Sequence, residues 1–524
     1  MAKVLIADKL SPAAAQVLTD RGVEADYRPG LSEDELVALV GAYDGLAVRS
    51  AVKVTERVLD AGDRLRVVGR AGIGVDNIDV PAATARGVIV MNTPFGNSVT
   101  TAEHTIALMM ALARQIPAAD RSTRSGKWEK SRFMGMELAG KTLGLIGCGN
   151  IGSIVASRAQ GLGMKVMAYD PFLSPERAQE LGVERAELDE LLARADVISL
   201  HTPLNDSTRN ILSREALART KPGVRIINCA RGGLIDEVAL HEAVVSGHVA
   251  GAAVDVFEKE PPGNHPLFAL DNVIVTPHLG ASTGEAQEKV AVQIAQQMAD
   301  FLLTGAVANA VNMPSVTAEE APLLAPYIAL ARQLGSFAGQ ITETGLQGVT
   351  ISYSGHAATL NNRPITAAAL EGLLSPLLAS VNAVNAPVLA RERNIHVTTV
   401  ERERAEGYET LIRLTVSTER GDRTVAGTLF QGGGPRLVEI QGIAMEARLA
   451  PRMLFTRNSD RPGFIGALGT ALGDNGINIA SFHLGRNESG DALALVEVDQ
   501  DVPPEVMETI TSLPHVIQAR VLSF

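Results

Sequence analysis

Cysteine is almost missing from this sequence. Cys148 and Cys229 are the only two in 524 residues. That is too few for a disulfide framework, and a reducing, cytoplasmic setting is the expectation. Long apolar runs are missing as well: the longest, 105–113, falls well short of the ~20 residues a membrane-spanning helix needs. The opening residues, Met-Ala-Lys-Val-Leu-Ile-Ala-Asp, read as a strand, without the apolar stretch and cleavage site of a secretory leader. Zinc-ligand spacings and low-complexity segments are absent, so no metal site is expected. There is no basic patch either. With 47 Lys and Arg against 59 Asp and Glu, the formal charge is −12, which repels phosphate backbones and anionic lipid. Neither nucleic acid nor membrane is an expected partner.

What is present is ordinary globular material, 46% apolar and 20% charged. The length suits three or four domains of ~100–200 residues each. Through the first three hundred residues, short apolar strands alternate with helices, the signature of a parallel α/β sheet. Strands are expected at 4–8, 45–49 and 67–70. After Asn92-Thr93-Pro94 a helix is expected at about 100–114, apolar on more than one face and so buried. A second alternating series begins at Lys141, with six strands at 142–147, 165–169, 197–200, 225–228, 250–255 and 273–275, enough for a doubly wound domain. A long helix at about 284–304 follows. Two long helices flanking a complete α/β unit imply that this unit is inserted into the first. The expected domains are therefore 1–96 together with 285–311, then 97–284. From about 312 the texture turns to a helical stretch and then β-rich segments, up to 450. Residues 451–524 read as strand, helix, strand, strand, helix, strand, a ferredoxin-like module.

Gly147-Cys148-Gly149-Asn150-Ile151-Gly152 fits G-x-G-x-x-G. The pattern means little alone, but here it follows an apolar strand and opens a helix. Asp170 then ends the next strand, 18 positions after Gly152. In such a unit the glycines let the backbone approach a pyrophosphate, and the helix terminus offers free N–H groups. The acidic residue binds a ribose diol and repels a 2′-phosphate, which favours NAD over NADP.

Three residues suited to hydride chemistry follow the later strands: Arg231 in Asn-Cys-Ala-Arg-Gly-Gly, Glu260 in Phe-Glu-Lys-Glu-Pro-Pro and His278 in Thr-Pro-His-Leu-Gly. A histidine can take the hydroxyl proton of an alcohol near neutral pH. A carboxylate on its other nitrogen fixes the tautomer, and an arginine can grip a substrate carboxylate at two points. Taken singly, a loop histidine is more often a surface or capping residue.

The cradle, together with Gly-Arg-Ala-Gly-Ile-Gly-Val-Asp-Asn-Ile-Asp at 69–79, Asn-Cys-Ala-Arg-Gly-Gly-Leu-Ile-Asp-Glu at 228–237 and Thr-Pro-His-Leu-Gly-Ala-Ser-Thr at 276–283, resembles the D-isomer-specific 2-hydroxyacid dehydrogenases. The likeness spans essentially the whole chain. It implies a two-lobed, Rossmann-like catalytic unit, an α+β intervening domain at 312–450 and an ACT regulatory domain at 451–524. By that resemblance, His278 is the acid/base, Glu260 its partner and Arg231 the carboxylate ligand. NAD contacts are implied at Gly147, Gly149, Asn150, Ile151, Gly152, Asp170, Thr202, Pro203, Cys229, Ala230, Arg231, Asp255, His278, Gly280 and Ala281. The implied substrate is 3-phospho-D-glycerate, its phosphate met by Arg49 and Arg70 with Lys130 from a neighbouring subunit, and Gly72, Ile73 and Asn97 complete the substrate loop. A glyoxylate or hydroxypyruvate reductase is the nearest alternative within the family, and a non-enzymatic NAD sensor the alternative outside it. The ACT match implies an L-serine site at Asn458, Asp460 and Asn478. Asn458 departs from the aromatic or histidine of serine-responsive relatives, and Asp460 and Asn478 are also types that turns and strand ends use. The family further implies a homo-oligomer, dimer or tetramer.

Overall fold

The computed structural model describes residues 1–405, 407–430, 434–487 and 490–524. The chain forms two compact units. One comprises Met1–Arg70, Val75–Asn92 and Ile294–Phe524, the other Ala71–Gly74 and Thr93–Gln293.

The first unit opens with strands β1 (Lys3–Ile6), β2 (Glu24–Tyr27), β3 (Gly45–Val48), β4 (Val67–Arg70) and β5 (Ile89–Met91), all parallel, in the order β2-β1-β3-β4-β5. Leu5, Leu46, Val48, Val68 and Val90 carry its core. β2 was not expected, because Glu-Ala-Asp-Tyr at the sheet edge shows no buried apolar residue; β5 has three residues only.

The second unit holds a seven-stranded parallel sheet: β6 (Thr142–Ile146), β7 (Lys165–Tyr169), β8 (Glu184–Arg185), β9 (Val197–Leu200), β10 (Val224–Asn228), β11 (Val249–Val254) and β12 (Val273–Val275). Its order, β12-β11-β10-β9-β6-β7-β8, reverses between β6 and β9. That reversal is the switch point where doubly wound sheets bind ligands. The expected six strands become seven because β8 is a two-residue edge with both side chains exposed. Helix α1 (Ser98–Ala113) buries Thr101, Thr105, Leu108, Met109 and Leu112. It is not buried all round as its composition implied, since Val99 and Met110 face solvent.

The first unit resumes at Ile294, within helix α2 (Gly284–Thr304). Helices α3 (Glu320–Gln340) and α4 (Asn362–Leu374) share a core with a mixed six-stranded sheet. That sheet comprises β13 (Leu346–Gly355), β14 (His396–Arg402), β15 (Thr410–Thr418), β16 (Gly421–Phe430), β17 (Gly434–Ile440) and β18 (Ile443–Ala447), in the order β14-β13-β15-β16-β17-β18. β14 was not expected, because it is a polar edge strand exposed along most of its length. Last come β19 (Met453–Ser459), α5 (Phe464–Gly473), β20 (Ile479–Arg486), β21 (Asp491–Val498), α6 (Pro504–Thr511) and β22 (Val516–Leu522). They form an antiparallel sheet ordered β20-β21-β19-β22. Leu454, Val496 and the two helices make one core on one face of this sheet. On the other face, Met453, Phe455 and Leu495 join the core of the preceding domain. Phe337 meets Phe455 edge-on at 5.7 Å and stacks on Phe524 at 6.4 Å. No helix among the described residues is long and apolar enough to cross a membrane.

Candidate active site

Adjacent parallel strands end in the three singled-out residues. Arg231 follows β10, Glu260 follows β11 and His278 follows β12. Parallel strands deliver their carboxyl ends to one edge, so neighbours in the sheet place these loops side by side.

The histidine and the carboxylate are in contact: His278 Nδ1 lies 2.8 Å from Glu260 Oε2. The other carboxylate oxygen accepts the Phe257 N–H at 3.0 Å, which fixes the side chain from behind. Partial burial opposes the charge on Glu260, but the His278 hydrogen bond and then the Phe257 N–H outweigh it, and the carboxyl titrates below its ordinary value. With Nδ1 committed to the carboxylate, Nε2 of the neutral ring is the free acceptor. The Arg231 loop is shaped by Asn228, whose amide donates to the Arg231 carbonyl at 2.8 Å and accepts from Ala230 N at 3.0 Å. Its next residue, Gly232, lies flat against the 257–258 backbone, where a Cβ would fall 2.0 Å from the Phe257 carbonyl.

His278 has a φ of +56°, a left-handed conformation that non-glycine residues rarely adopt. Asp255 holds it there. Its carbonyl accepts the His278 N–H at 2.9 Å. The fully buried carboxylate accepts Leu279 N and Gly280 N at 2.8 and 2.9 Å and Thr276 Oγ1 at 2.5 Å, and stands 3.3 Å from His104 Nε2. Burial pushes this carboxyl up, and the His104, Thr276 and Leu279 hydrogen bonds more than reverse it, so Asp255 titrates below the usual range. Thr101 Oγ1 adds a bond to the Gly280 carbonyl at 2.9 Å. The sequence reading missed His104, Thr101 and Thr276. His104 is a lone histidine in an apolar helix, and nothing in its neighbourhood announces a partner 151 positions away.

The glycine cradle is built for a close-lying ligand. Gly147 has φ +95°, and a Cβ there would meet the His201 carbonyl at 2.5 Å; at Gly152 it would meet the Gly147 carbonyl at 2.3 Å. Gly149 instead faces open space and caps the helix Asn150–Gly161 without a side chain, leaving the first N–H groups of Asn150 and Ile151 to an outside acceptor. The Asp170 carboxylate accepts Cys148 N and Phe172 N, both at 2.8 Å, and so stands fixed at the end of β7. Uncapped helix terminus, open glycine and tethered carboxylate all fit a dinucleotide. Cys229 is buried and its thiol is pushed up to about 12; Cys148 is likewise raised to about 11.

Gly72 and Asn97 also belong to this unit. Gly72 takes φ +143° and accepts Thr93 N at 3.0 Å; Asn97 is buried at the start of α1 with its Oδ1 unpaired. Ile73 adjoins Gly72, Lys130 is exposed, Thr202 and Pro203 follow β9, and Ala230 and Ala281 lie partly exposed on the loops after β10 and β12. In the first unit, Arg49 follows β3 and Arg70 ends β4, and Val48 and Arg70 are register neighbours. Asp8 accepts the N–H groups of Arg49 and Ala51 at 3.0 Å, and Asn77 donates to the Arg49 carbonyl at 2.8 Å, so the arginine's loop is pinned. The three effector candidates each have a local partner, and the buried Oδ1 of Asn458 has none. Asn458 is buried on the helix face of its sheet and donates to the Ser459 carbonyl. Asn478 donates to Asp499 Oδ2 at 2.7 Å, and Asp460 lies 3.8 Å from Arg486. No hydrogen bond joins the three among the described residues.

Comparison with known proteins agrees with these features. Residues 106–280 match the NAD binding domain of the D-isomer specific 2-hydroxyacid dehydrogenases, 323–441 the D-3-phosphoglycerate dehydrogenase intervening domain, and 452–515 the ACT domain. The D-3-phosphoglycerate dehydrogenase of Synechocystis is 43% identical over 522 residues, covering 99% of this chain and 94% of the relative. That of Methanocaldococcus jannaschii is 43% identical over 527 residues and covers all of both. A glyoxylate reductase from Paecilomyes thermophila is similar in structure, with a TM-score of 0.55 and 31% identity. It spans 59% of this chain and 98% of its own.

Proposed function

Because the chain belongs to the D-isomer specific 2-hydroxyacid dehydrogenases, in a long form with intervening and ACT domains, we infer that Arg231, Glu260 and His278 carry its reaction. The chain is an NAD-dependent oxidoreductase that converts 3-phospho-D-glycerate to 3-phosphohydroxypyruvate, the first reaction of L-serine biosynthesis. The observation that carries the assignment of roles is the 2.8 Å contact between His278 and Glu260 at the ends of neighbouring strands.

NAD, when bound, supplies the acceptor for the hydride leaving C2. The residues of the chain do the rest. His278 receives the substrate hydroxyl proton on Nε2, while Glu260 keeps Nδ1 protonated and stabilises the imidazolium that forms. Arg231 holds the substrate carboxylate by its guanidinium fork. Arg49 and Arg70, at adjacent strand ends, receive the phosphate, and Lys130 of a neighbouring subunit adds to them. Gly72, Ile73 and Asn97 line the substrate loop. Gly147, Gly149, Asn150, Ile151 and Gly152 cradle the pyrophosphate, and Asp170 binds the ribose diol. Thr202, Pro203, Cys229, Ala230, Asp255, Gly280 and Ala281 complete the contacts to the dinucleotide. The working domains are 1–96 with 285–311 for substrate, 97–284 for NAD, 312–450 as the intervening domain and 451–524 as the ACT domain. Asn458, Asp460 and Asn478 form an L-serine site in a homo-oligomer, and the enzyme works in the cytoplasm.

The test is NADH formation from NAD with 3-phospho-D-glycerate, run beside D-glycerate and D-lactate. Turnover confined to the phosphorylated acid is expected. Equal turnover of the unphosphorylated acids would move the chain to the reductase reading and remove the phosphate role from Arg49 and Arg70.

A further inference from the structure

Glu237 closes the Asn-Cys-Ala-Arg-Gly-Gly-Leu-Ile-Asp-Glu segment, and the reaction does not use it. It is the first residue of the helix Glu237–Val245, and its Oε2 lies 3.0 Å from His265 Nε2. His265 Nδ1 accepts the Leu267 N–H at 3.3 Å, so the proton of the neutral ring sits on Nε2 and is donated to the carboxylate. A second glutamate–histidine pair therefore stands in the same unit as Glu260 and His278. The His265 and Glu237 side chains are 15% and 17% exposed, against 49% and 38% for His278 and Glu260. The new pair is the more enclosed of the two.

Consecutive amides join the two pairs. The Phe257 N–H donates to Glu260 Oε1 at 3.0 Å, and the next N–H, of Glu258, donates to Glu237 Oε1 at 2.8 Å. Each glutamate thus holds one backbone amide and one histidine. Gly232 packs on the same Phe257–Glu258 peptide, leaving no room there for a side chain.

Glu260 needs such a tether. Residues 258–261 are exposed, and an exposed loop is ordered only by the contacts that tie it down. Glu237 ties this loop on both sides of Glu260, directly at Glu258 and through the ring of His265. Hydrogen bonds to an ionised carboxylate are stronger than neutral ones. The His265 ring is fixed in turn, 5.3 Å from the Phe257 ring and 5.6 Å from that of Phe268, and Phe257 meets Phe268 edge-on at 5.7 Å.

We propose that Glu237 and His265 are positioning residues for the hydride step: the pair fixes the 258–265 loop, and through it the carboxylate that Glu260 presents to His278. The proposal rests on the reading of Glu260 as the partner of His278. No hydrogen bond joins Glu237 or His265 to His278 among the described residues, so what they contribute to turnover passes through Glu260. A shift of that carboxylate by ~1 Å breaks its 2.8 Å contact with His278 and lowers turnover by about ten-fold or more.

The experiment is a double-mutant comparison by steady-state kinetics on the full chain, with NAD and 3-phospho-D-glycerate. Glu237→Gln leaves one oxygen where two donors need acceptors. His265→Phe keeps a ring beside Phe257 and Phe268 and removes both hydrogen bonds, and it carries the comparison if Glu237→Gln folds poorly. Each substitution is made in the wild-type chain and in Glu260→Ala. In the wild-type chain kcat is expected to fall about ten-fold, with KM for NAD unchanged. In Glu260→Ala, which has no carboxylate left to position, the same substitutions should cost less than about two-fold more. An equal loss in both backgrounds would show that the pair serves the fold alone, and wild-type kcat in both single variants would show that the loop holds itself. Either result would overturn the proposal and leave the reading of Glu260 standing. Normal turnover of Glu260→Ala would overturn that reading, and the proposal with it.

Discussion

The N–H of His278 donates to the carbonyl of Asp255 at 2.9 Å, and the Asp255 carboxylate receives the next two N–H groups, of Leu279 and Gly280. One buried aspartate therefore dictates where the acid/base histidine points. A left-handed φ at a non-glycine residue costs ~1–3 kcal/mol and persists only where the surroundings over-determine it. Five donors converging on Asp255, four of them on its carboxylate, are that surrounding. Asp255→Asn removes one acceptor oxygen and turns an NH2 group toward backbone donors. Turnover is expected to fall ~10–10²-fold with a stability loss of ~1–3 kcal/mol, measured by steady-state kinetics and denaturant melts. Wild-type turnover in this variant would show that the loop holds itself.

The same carboxylate sets an acid limit. Burial raises its pKa, but the His104, Thr276 and Leu279 hydrogen bonds lower it further than burial raises it. The unfolded chain thus binds the proton more readily than the folded one. The stabilisation from Asp255 is fully present above the unfolded value of ~4 and is lost as the pH falls through the lower folded value. The stability gap between wild type and Asp255→Asn should accordingly stay level from neutral pH down to ~5 and narrow only in stronger acid. A gap that narrows on the alkaline side would contradict the assignment.

Glu260 acts on the other side of the ring. Replacing its carboxylate by an amide, Glu260→Gln, keeps the shape and the Phe257 contact but removes the charge that favours an imidazolium. Turnover is expected to drop ~10²-fold or more while NAD binding is unchanged, because no dinucleotide contact is altered. Fluorescence titration of NADH separates the two effects, and a parallel loss of NADH affinity would show that Glu260 shapes the cofactor site instead.

Legibility in the sequence followed burial and locality. β6, β7 and β10 to β12 are short apolar runs ended by turn residues, and their positions could be read to within a residue or two. β8 and β14 could not be, because they are polar sheet edges whose strand character comes only from a neighbour's hydrogen bonds. The same division runs through the site. The cradle and Asp170 lie within one βαβ unit and have a local pattern. The Asp255–His104 contact joins residues far apart in the chain through a helix that carries no motif.

Gly232 tests how tightly the Arg231 loop must lie. A Cβ there would sit 2.0 Å from both the carbon and the oxygen of the Phe257 carbonyl and 2.4 Å from Glu258 N. These are backbone atoms that cannot swing aside. Gly232→Ala must push the Arg231 loop off the segment that leads to Glu260, so both partners of His278 chemistry shift together. Turnover should fall at least ~10-fold, since displacements near 1 Å cost that much or more. The glycine cradle should keep its affinity for NADH. Unchanged turnover would mean the two loops can separate without consequence.

Phe455 tests whether the intervening and ACT domains unfold as one body. Its ring is fully buried and meets Phe337 of the intervening domain edge-on at 5.7 Å, and Phe337 in turn stacks on Phe524. Truncating such a ring costs ~3–5 kcal/mol from lost transfer energy and the cavity left behind. If the shared core makes the two domains one cooperative unit, Phe455→Ala lowers the melting of both together, seen as a single shifted transition over residues 312–524 by hydrogen exchange. The surface pair Arg520–Glu343, which bridges the same two domains at 2.9 Å, is half exposed and is worth at most ~1 kcal/mol. Arg520→Gln should therefore leave that transition nearly in place. A Phe455→Ala chain in which the ACT strands exchange early while α3 and α4 keep wild-type protection would separate the domains energetically.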